Sequence, residues 1–215
     1  ATSQPLAAQV GITMLQQGGN AIDAAIATAA ALTVVEPTSN GIGSDAFAIV
    51  WVDGKLHGLN ASGPAPQAAT IETLESLGYE TMPNHGLLPV TVPGAPAAWA
   101  ALSERFGKLP IADLLAPAIA LAEEGFAVTP VIHQMWEDAF HNYATYPDAA
   151  FKPWFDTFAP KGRAPRPGEL WSSPGHAKSL SAIAVTKAEA FYRGELAEAI
   201  DAFSREHGGL IRKED

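Results

Sequence analysis

Gly18-Gly19-Asn20-Ala21-Ile22-Asp23-Ala24-Ala25 begins an apolar run to Val35, and Glu36-Pro37-Thr38-Ser39-Asn40-Gly41-Ile42-Gly43-Ser44-Asp45-Ala46-Phe47 follows it. The paired glycines end a preceding helix, because glycine accepts the left-handed cap conformation. Asn20 then caps a new helix, with Asp23 three residues on, near the positive helix end. This is a loose relative of the capping box, which prefers Glu or Gln there. Ala21 to Val35 is apolar nearly all round, broken only by Asp23, Thr28 and Thr33. A helix of that kind is buried. Pro37 stops it, and a polar, glycine-punctuated turn runs to Asp45. Ala46 to Val52 is continuously apolar and reads as a strand buried on both faces. Asp53-Gly54 is a two-residue hairpin signal, and Lys55 to Leu59 returns as the partner strand. Such a pair needs helices packed outside it, which predicts a layered α/β arrangement.

Upstream, Leu6, Val10 and Met14 recur at helical spacing over Pro5 to Gln17, with Pro5 suited to a first helical position. Downstream the chain reads as mainly helical. Helices are predicted over 71–77, 94–106, 111–124, 130–143, 179–185 and 195–206. Between them, residues 147–174 hold Pro147, Pro153, Pro160, Pro165, Pro167 and Pro174. That density predicts an ordered but irregular loop or lid, anchored by Trp154, Phe155, Phe158 and Trp171. The organisation expected is one incomplete domain over 1–215. Residues 1–66 give the helices and buried hairpin of a sandwich, and 67–215 a mainly helical lobe.

The chain has 215 residues, 47% hydrophobic and only 17% charged, with a net charge of −10. The length supports one sizeable core. The low charge fraction suggests that much surface is covered by further polypeptide. Scattered cations on an acidic chain argue against nucleic acid. The absence of cysteine removes disulfides, thiolate metal sites and a cysteine nucleophile. No run reaches membrane-span length. The opening at Ala1 reads as cytoplasmic, or as periplasmic or secreted if a leader has been removed.

No cofactor and no metal is expected. Gly41-Ile42-Gly43 lacks the preceding strand, third glycine and following helix of a dinucleotide loop. His133, Glu137 and His141 share one face of a predicted helix. That spacing alone is not a closed zinc ligand set, and a solvent-facing stripe or interface is the simpler reading. Ser39, Ser44 and Ser62 are hydroxyl candidates, but none sits in a Gly-x-Ser-x-Gly elbow. Ser39 and Ser44 read as turn hydroxyls. Ala1 has no side-chain hydroxyl with which to act as an N-terminal nucleophile. No catalytic residue is therefore assigned within this chain.

Several segments, in order, resemble the large subunit of the gamma-glutamyltranspeptidase family. They are Ala1-Thr2-Ser3-Gln4-Pro5-Leu6-Ala7, the Gly18–Ala25 and Glu36–Gly43 strings, Val92-Pro93-Gly94, Gly107-Lys108-Leu109-Pro110, Pro117 to Phe126, Phe191 to Ala197, and Gly208-Gly209-Leu210. The resemblance implies the αββα sandwich of N-terminal-nucleophile hydrolases, with an added helical lobe. It implies a self-cleaving precursor and a partner small subunit that begins with the nucleophilic threonine. On that implication this chain is part of the large subunit and stops before that subunit does. A dimer of such αβ units is left open.

In glutamyl-transferring members an arginine shortly before Ala-Pro grips the substrate α-carboxylate. Here the segment is Leu59-Asn60-Ala61-Ser62-Gly63-Pro64-Ala65-Pro66, and Ser62 stands at that position. A neutral hydroxyl does not replace a guanidinium fork. Gly43-Ser44-Asp45-Ala46 likewise departs from the family's run of glycines. The resemblance is thus closer to amidohydrolase and acylase members than to glutathione-using ones. It implies cleavage of a small amide, with Asn60 and Ser62 as substrate contacts. The alternatives are a gamma-glutamyl hydrolase or transferase with a displaced anion-binding residue, and a catalytically inactive relative that binds small molecules.

Overall fold

The structure, a computed structural model, describes residues 1–147 and 149–215. Helix α1 (Pro5–Gln16) starts where the Gln4 side chain accepts from the backbone N–H groups of Leu6 and Ala7. Helix α2 (Ala21–Val35) carries a complete capping box. Asn20 Oδ1 accepts from Asp23 N at 3.0 Å, and Asp23 Oδ2 accepts from Asn20 N at 2.8 Å. Asp therefore does here what Glu or Gln commonly does.

Helix α2 is the centre of the molecule. It packs on α1, on α4 (Ala95–Phe106) and on α5 (Ile111–Glu124), which in turn packs on α8 (Pro174–Thr186). Its alanines let these helices approach closely. Ile26, Val34 and Val35 meet Met14, Leu115 and Leu180 in one core.

Strands β1 (Ala46–Val52) and β2 (Lys55–Ala61) pair antiparallel, from Val52↔Lys55 at the turn to Ala46↔Ala61 at the open end. Asp53 (φ 50°) and Gly54 (φ 74°) form the two-residue turn with both φ positive. Helix α4 lies against the hairpin, and Val50 is buried. The opposite face is bare. Phe47 is 68% exposed, Ile49 82%, Trp51 69% and Leu56 66%. Burial on both faces was expected. Within the described residues the helical layer covers only the face that carries Val50, so the strand is one-sided.

The helical remainder comprises α3 (Ile71–Ser76), α4, α5, α6 (Pro130–Tyr143), α7 (Lys152–Phe158), α8, α9 (Glu189–Tyr192) and α10 (Glu195–Glu206). The proline-rich stretch is more regular than expected. It contains α7, whose Pro153 sits in the first helical turn, where a missing N–H costs little. It also contains β4 (Leu170–Trp171), paired with β3 (Phe126–Ala127). Aromatic packing holds it down. Trp171 is buried and stacks on Phe158 at 5.8 Å, and the buried Trp136 Nε1–H donates to Phe158 O at 2.9 Å. Helix α8 begins at Pro174, five residues earlier than expected. No described helix is long and apolar enough to cross a membrane.

Candidate functional site

The open end of the hairpin is built by close backbone contact. Gly63 has φ +72°, and a Cβ there would stand 1.7 Å from Val92 O. A Cβ on Gly94 would stand 1.7 Å from Ala61 O. Only glycine fits at either position. Val92 N donates to Pro64 O at 3.0 Å, and Gly94 N and Ala95 N donate to Ser44 O at 3.2 and 2.9 Å. The end of β2, the turn before β1 and the start of α4 are thus tied together. Tyr192 fastens the arrangement from behind. Its hydroxyl donates to Pro93 O at 2.7 Å and accepts from Ala97 N at 3.1 Å, and burial raises its pKa.

Asn60 and Ser62 come together at this end. Asn60 Oδ1 accepts from Ser62 N at 2.9 Å, closing an Asx turn. The Ser62 hydroxyl and the Asn60 amide N–H groups make no hydrogen bond among the described residues, so both are free to meet a ligand. The register opposes Phe47 to Asn60, and one step beyond the last pair it opposes Asp45 to Ser62. Alternation puts all four residues on the uncovered face. Asp45 is exposed and forms no ion pair among the described residues.

Sequence reasoning missed Asp45, although the signal was available. The Asp53-Gly54 turn fixes the register, and counting back from it reaches Asp45 opposite Ser62. Lys55, at the far end of the hairpin, is the only Lys or Arg in residues 1–104. The site therefore presents an amide, a hydroxyl, an aromatic ring and one carboxylate. Among the described residues it presents no cation, the group with which a protein grips a carboxylate.

The other residues singled out in the sequence do structural work. Ser44 Oγ accepts from Gly41 N at 3.0 Å within the turn through Gly41-Ile42-Gly43, and Ser39 is an exposed turn residue. His133 bonds Pro165 O through Nδ1 at 2.9 Å, its Nε2 lies 3.8 Å from Glu137, and His141 packs on Phe140. Among the described residues no group of three or more His, Asp or Glu is arranged to hold a metal ion. Thr33 Oγ1 lies 3.1 Å from His176 Nε2. The same hydroxyl lies 2.7 Å from Ala30 O, the carbonyl one turn back in its own helix.

The sequence profile of the family described as Gamma-glutamyltranspeptidase matches residues 7–215. The Acylase ACY 1 proenzyme of Pseudomonas sp. (strain SE83) is 37% identical over 100% of this chain and 39% of its own length. The Oxamate amidohydrolase proenzyme of Klebsiella pneumoniae is 36% identical over 91% of this chain and 37% of its own. Among solved structures, a cephalosporin acylase from Bacillus halodurans superposes with a TM-score of 0.97 at 61% identity, over 100% of this chain and 40% of that one. The chain thus spans about two-fifths of the length of these relatives.

Proposed function

Because this chain belongs to the gamma-glutamyltranspeptidase family, with the layered α/β fold of its N-terminal-nucleophile hydrolases, we propose that it is the large-subunit portion of a self-processing amidohydrolase. The observation that carries the reading is the uncharged turn of Asn60 and Ser62, opposed by Asp45 where a carboxylate-binding site would need a cation. The relatives described as acylase and amidohydrolase proenzymes support it.

In this reading the nucleophile is a threonine at the start of a small subunit cut from the same precursor. Its hydroxyl attacks the amide carbonyl and its own α-amine takes the proton. This chain supplies one wall of the pocket. The Ser62 hydroxyl and the Asn60 amide orient the acyl group, and the backbone knot at Gly63 and Gly94 keeps them in place. The bare apolar face of the hairpin packs against the second sheet of the sandwich.

The test uses the full-length protein. Mass spectrometry should find two polypeptides, the second starting with threonine. The processed protein should hydrolyse small neutral amides and leave gamma-glutamyl-p-nitroanilide untouched. Efficient release of p-nitroaniline from that compound would replace this reading with the glutamyl-transferring one. An uncleaved protein without amidase activity would replace it with the binding-only one.

A further inference from the structure

A cleft of about 710 Å³ opens between the start of α8, the end of α2 and the α7 region. That volume is in the range of small-molecule sites. One wall is aromatic. Tyr143, Trp154 and Phe158 line it, with ring centroids 4.8 Å apart for Tyr143 and Trp154 and 5.7 Å apart for Trp154 and Phe158.

The other wall is the N-terminus of α8, and it is unusual in what it leaves unbonded. Ser173 holds the N-cap position, where a serine hydroxyl ordinarily accepts from its own helix. Here it makes no cap bond. Ser173 is only 6% exposed, lines the cleft, and its hydroxyl has no partner among the described residues. The N–H groups of Gly175 and His176, which also line the cleft, have no acceptor among the described residues. Three donors thus stand at the positive end of a thirteen-residue helix. Among the described residues no Lys or Arg lines the cleft, and the one carboxylate that does, Asp156, is engaged by Lys152. His176 adds no charge near neutral pH, since burial lowers its pKa to about 4.

We propose that this cleft binds a small organic carboxylate with a flat apolar body. The carboxylate accepts from the Ser173 hydroxyl and the Gly175 and His176 N–H groups, and the body lies on Trp154. A carboxylate at a helix N-terminus is favoured by both the free N–H groups and the dipole. The inference does not depend on the amide chemistry proposed above.

The probe is 4-fluorobenzoate, titrated into the full-length protein and followed by fluorine NMR. Saturable binding is expected, with 4-fluorobenzamide, its neutral analogue, binding about tenfold more weakly. Ser173→Ala should weaken binding about tenfold and leave the melting temperature unchanged, because the hydroxyl caps nothing. Ser62→Ala should leave binding unchanged, which separates this cleft from the hairpin site. Trp154→Leu should also weaken binding; should that variant fail to fold, Ser173→Ala alone decides. Absent saturation, equal binding of the amide, unchanged binding by Ser173→Ala, or loss with Ser62→Ala would each overturn the proposal.

Discussion

Asp23 shows how much structure one buried carboxylate can organise. It is fully buried in α2 and accepts from Asn20 N and, through both oxygens at 3.1 Å, from Lys108 N. Asn20 Nδ2 reaches Phe106 O at 2.6 Å. A Cβ on Gly19 would stand 3.1 Å from Asp23 Oδ2, and one on Gly107 2.9 Å from Oδ1. The Gly18–Ala25 and Gly107–Pro110 motifs are therefore two halves of one joint, and their residue types follow from its packing. Asp23→Ala leaves the part-buried N–H groups of Asn20 and Lys108 without their acceptor and should destabilise the protein by about 2 kcal/mol, read as a lower denaturant midpoint. Asp23→Asn keeps a single acceptor oxygen and should recover only part of that loss. The hairpin knot gives a second contrast. Gly94→Ala would drive a methyl onto Ala61 O and should cost about 2–4 kcal/mol. Gly43→Ala meets nothing within 4 Å and should stay within about 0.5 kcal/mol of the parent. Equal melting temperatures for the two variants would show that the backbone contact at Gly94 is not tight.

At the scale of elements, the start of α8 should respond to pH. Burial lowers the His176 pKa from 6.5 to about 4, so the unfolded chain binds the proton more readily. The stability held by neutral His176 is complete above pH 6.5 and is lost as pH falls towards 4, by at most about 3 kcal/mol. His176→Gln should flatten the stability profile across that window in thermal melts, and an unchanged slope would show that the imidazole is not desolvated. The pattern of what the sequence revealed follows the range of the forces involved. Helices α1, α2, α4, α5, α6 and α10 were legible because caps, breakers and apolar spacing are local. The β1–β2 hairpin was legible from Asp53-Gly54. Helix α7 was not, because a proline that opens a helix looks the same as one that breaks it. The β3–β4 pair is two residues long on each side, and its register comes from the burial of Phe126 and Trp171. Helix α9 follows Lys187 and Ala188, both at positive φ without a glycine to announce the turn. At the site, Asn60 and Ser62 were legible from the resemblance, whereas Asp45 needed the strand register. The continuous apolar run of β1 predicted two covered faces because apolarity does not say which polypeptide does the covering.

Over the whole molecule, the bare hairpin face has the largest consequence. Phe47, Ile49, Trp51 and Leu56 form one apolar patch on a two-stranded sheet, and two strands alone are marginal in water. Burying each of those side chains is worth about 1.5–3 kcal/mol. Asn60 and Ser62 lie at the edge of the same face, so whatever covers the patch also closes the proposed pocket. If the remainder of the protein supplies the second sheet of an αββα sandwich, a charge placed on this face is buried without a partner. Ile49→Asp in the full-length protein should then cost about 3 kcal/mol or more and prevent the proposed self-cleavage, because the cleavage point would no longer be held against its own nucleophile. Contacts within residues 1–215 predict the opposite. Ile49 is almost fully exposed there, and an exposed apolar-to-polar change is nearly neutral. Differential scanning calorimetry and gel electrophoresis of the single variant therefore separate the two. A wild-type melting temperature with normal processing would mean that the face meets solvent in the whole protein, and the sandwich could not be built on this hairpin.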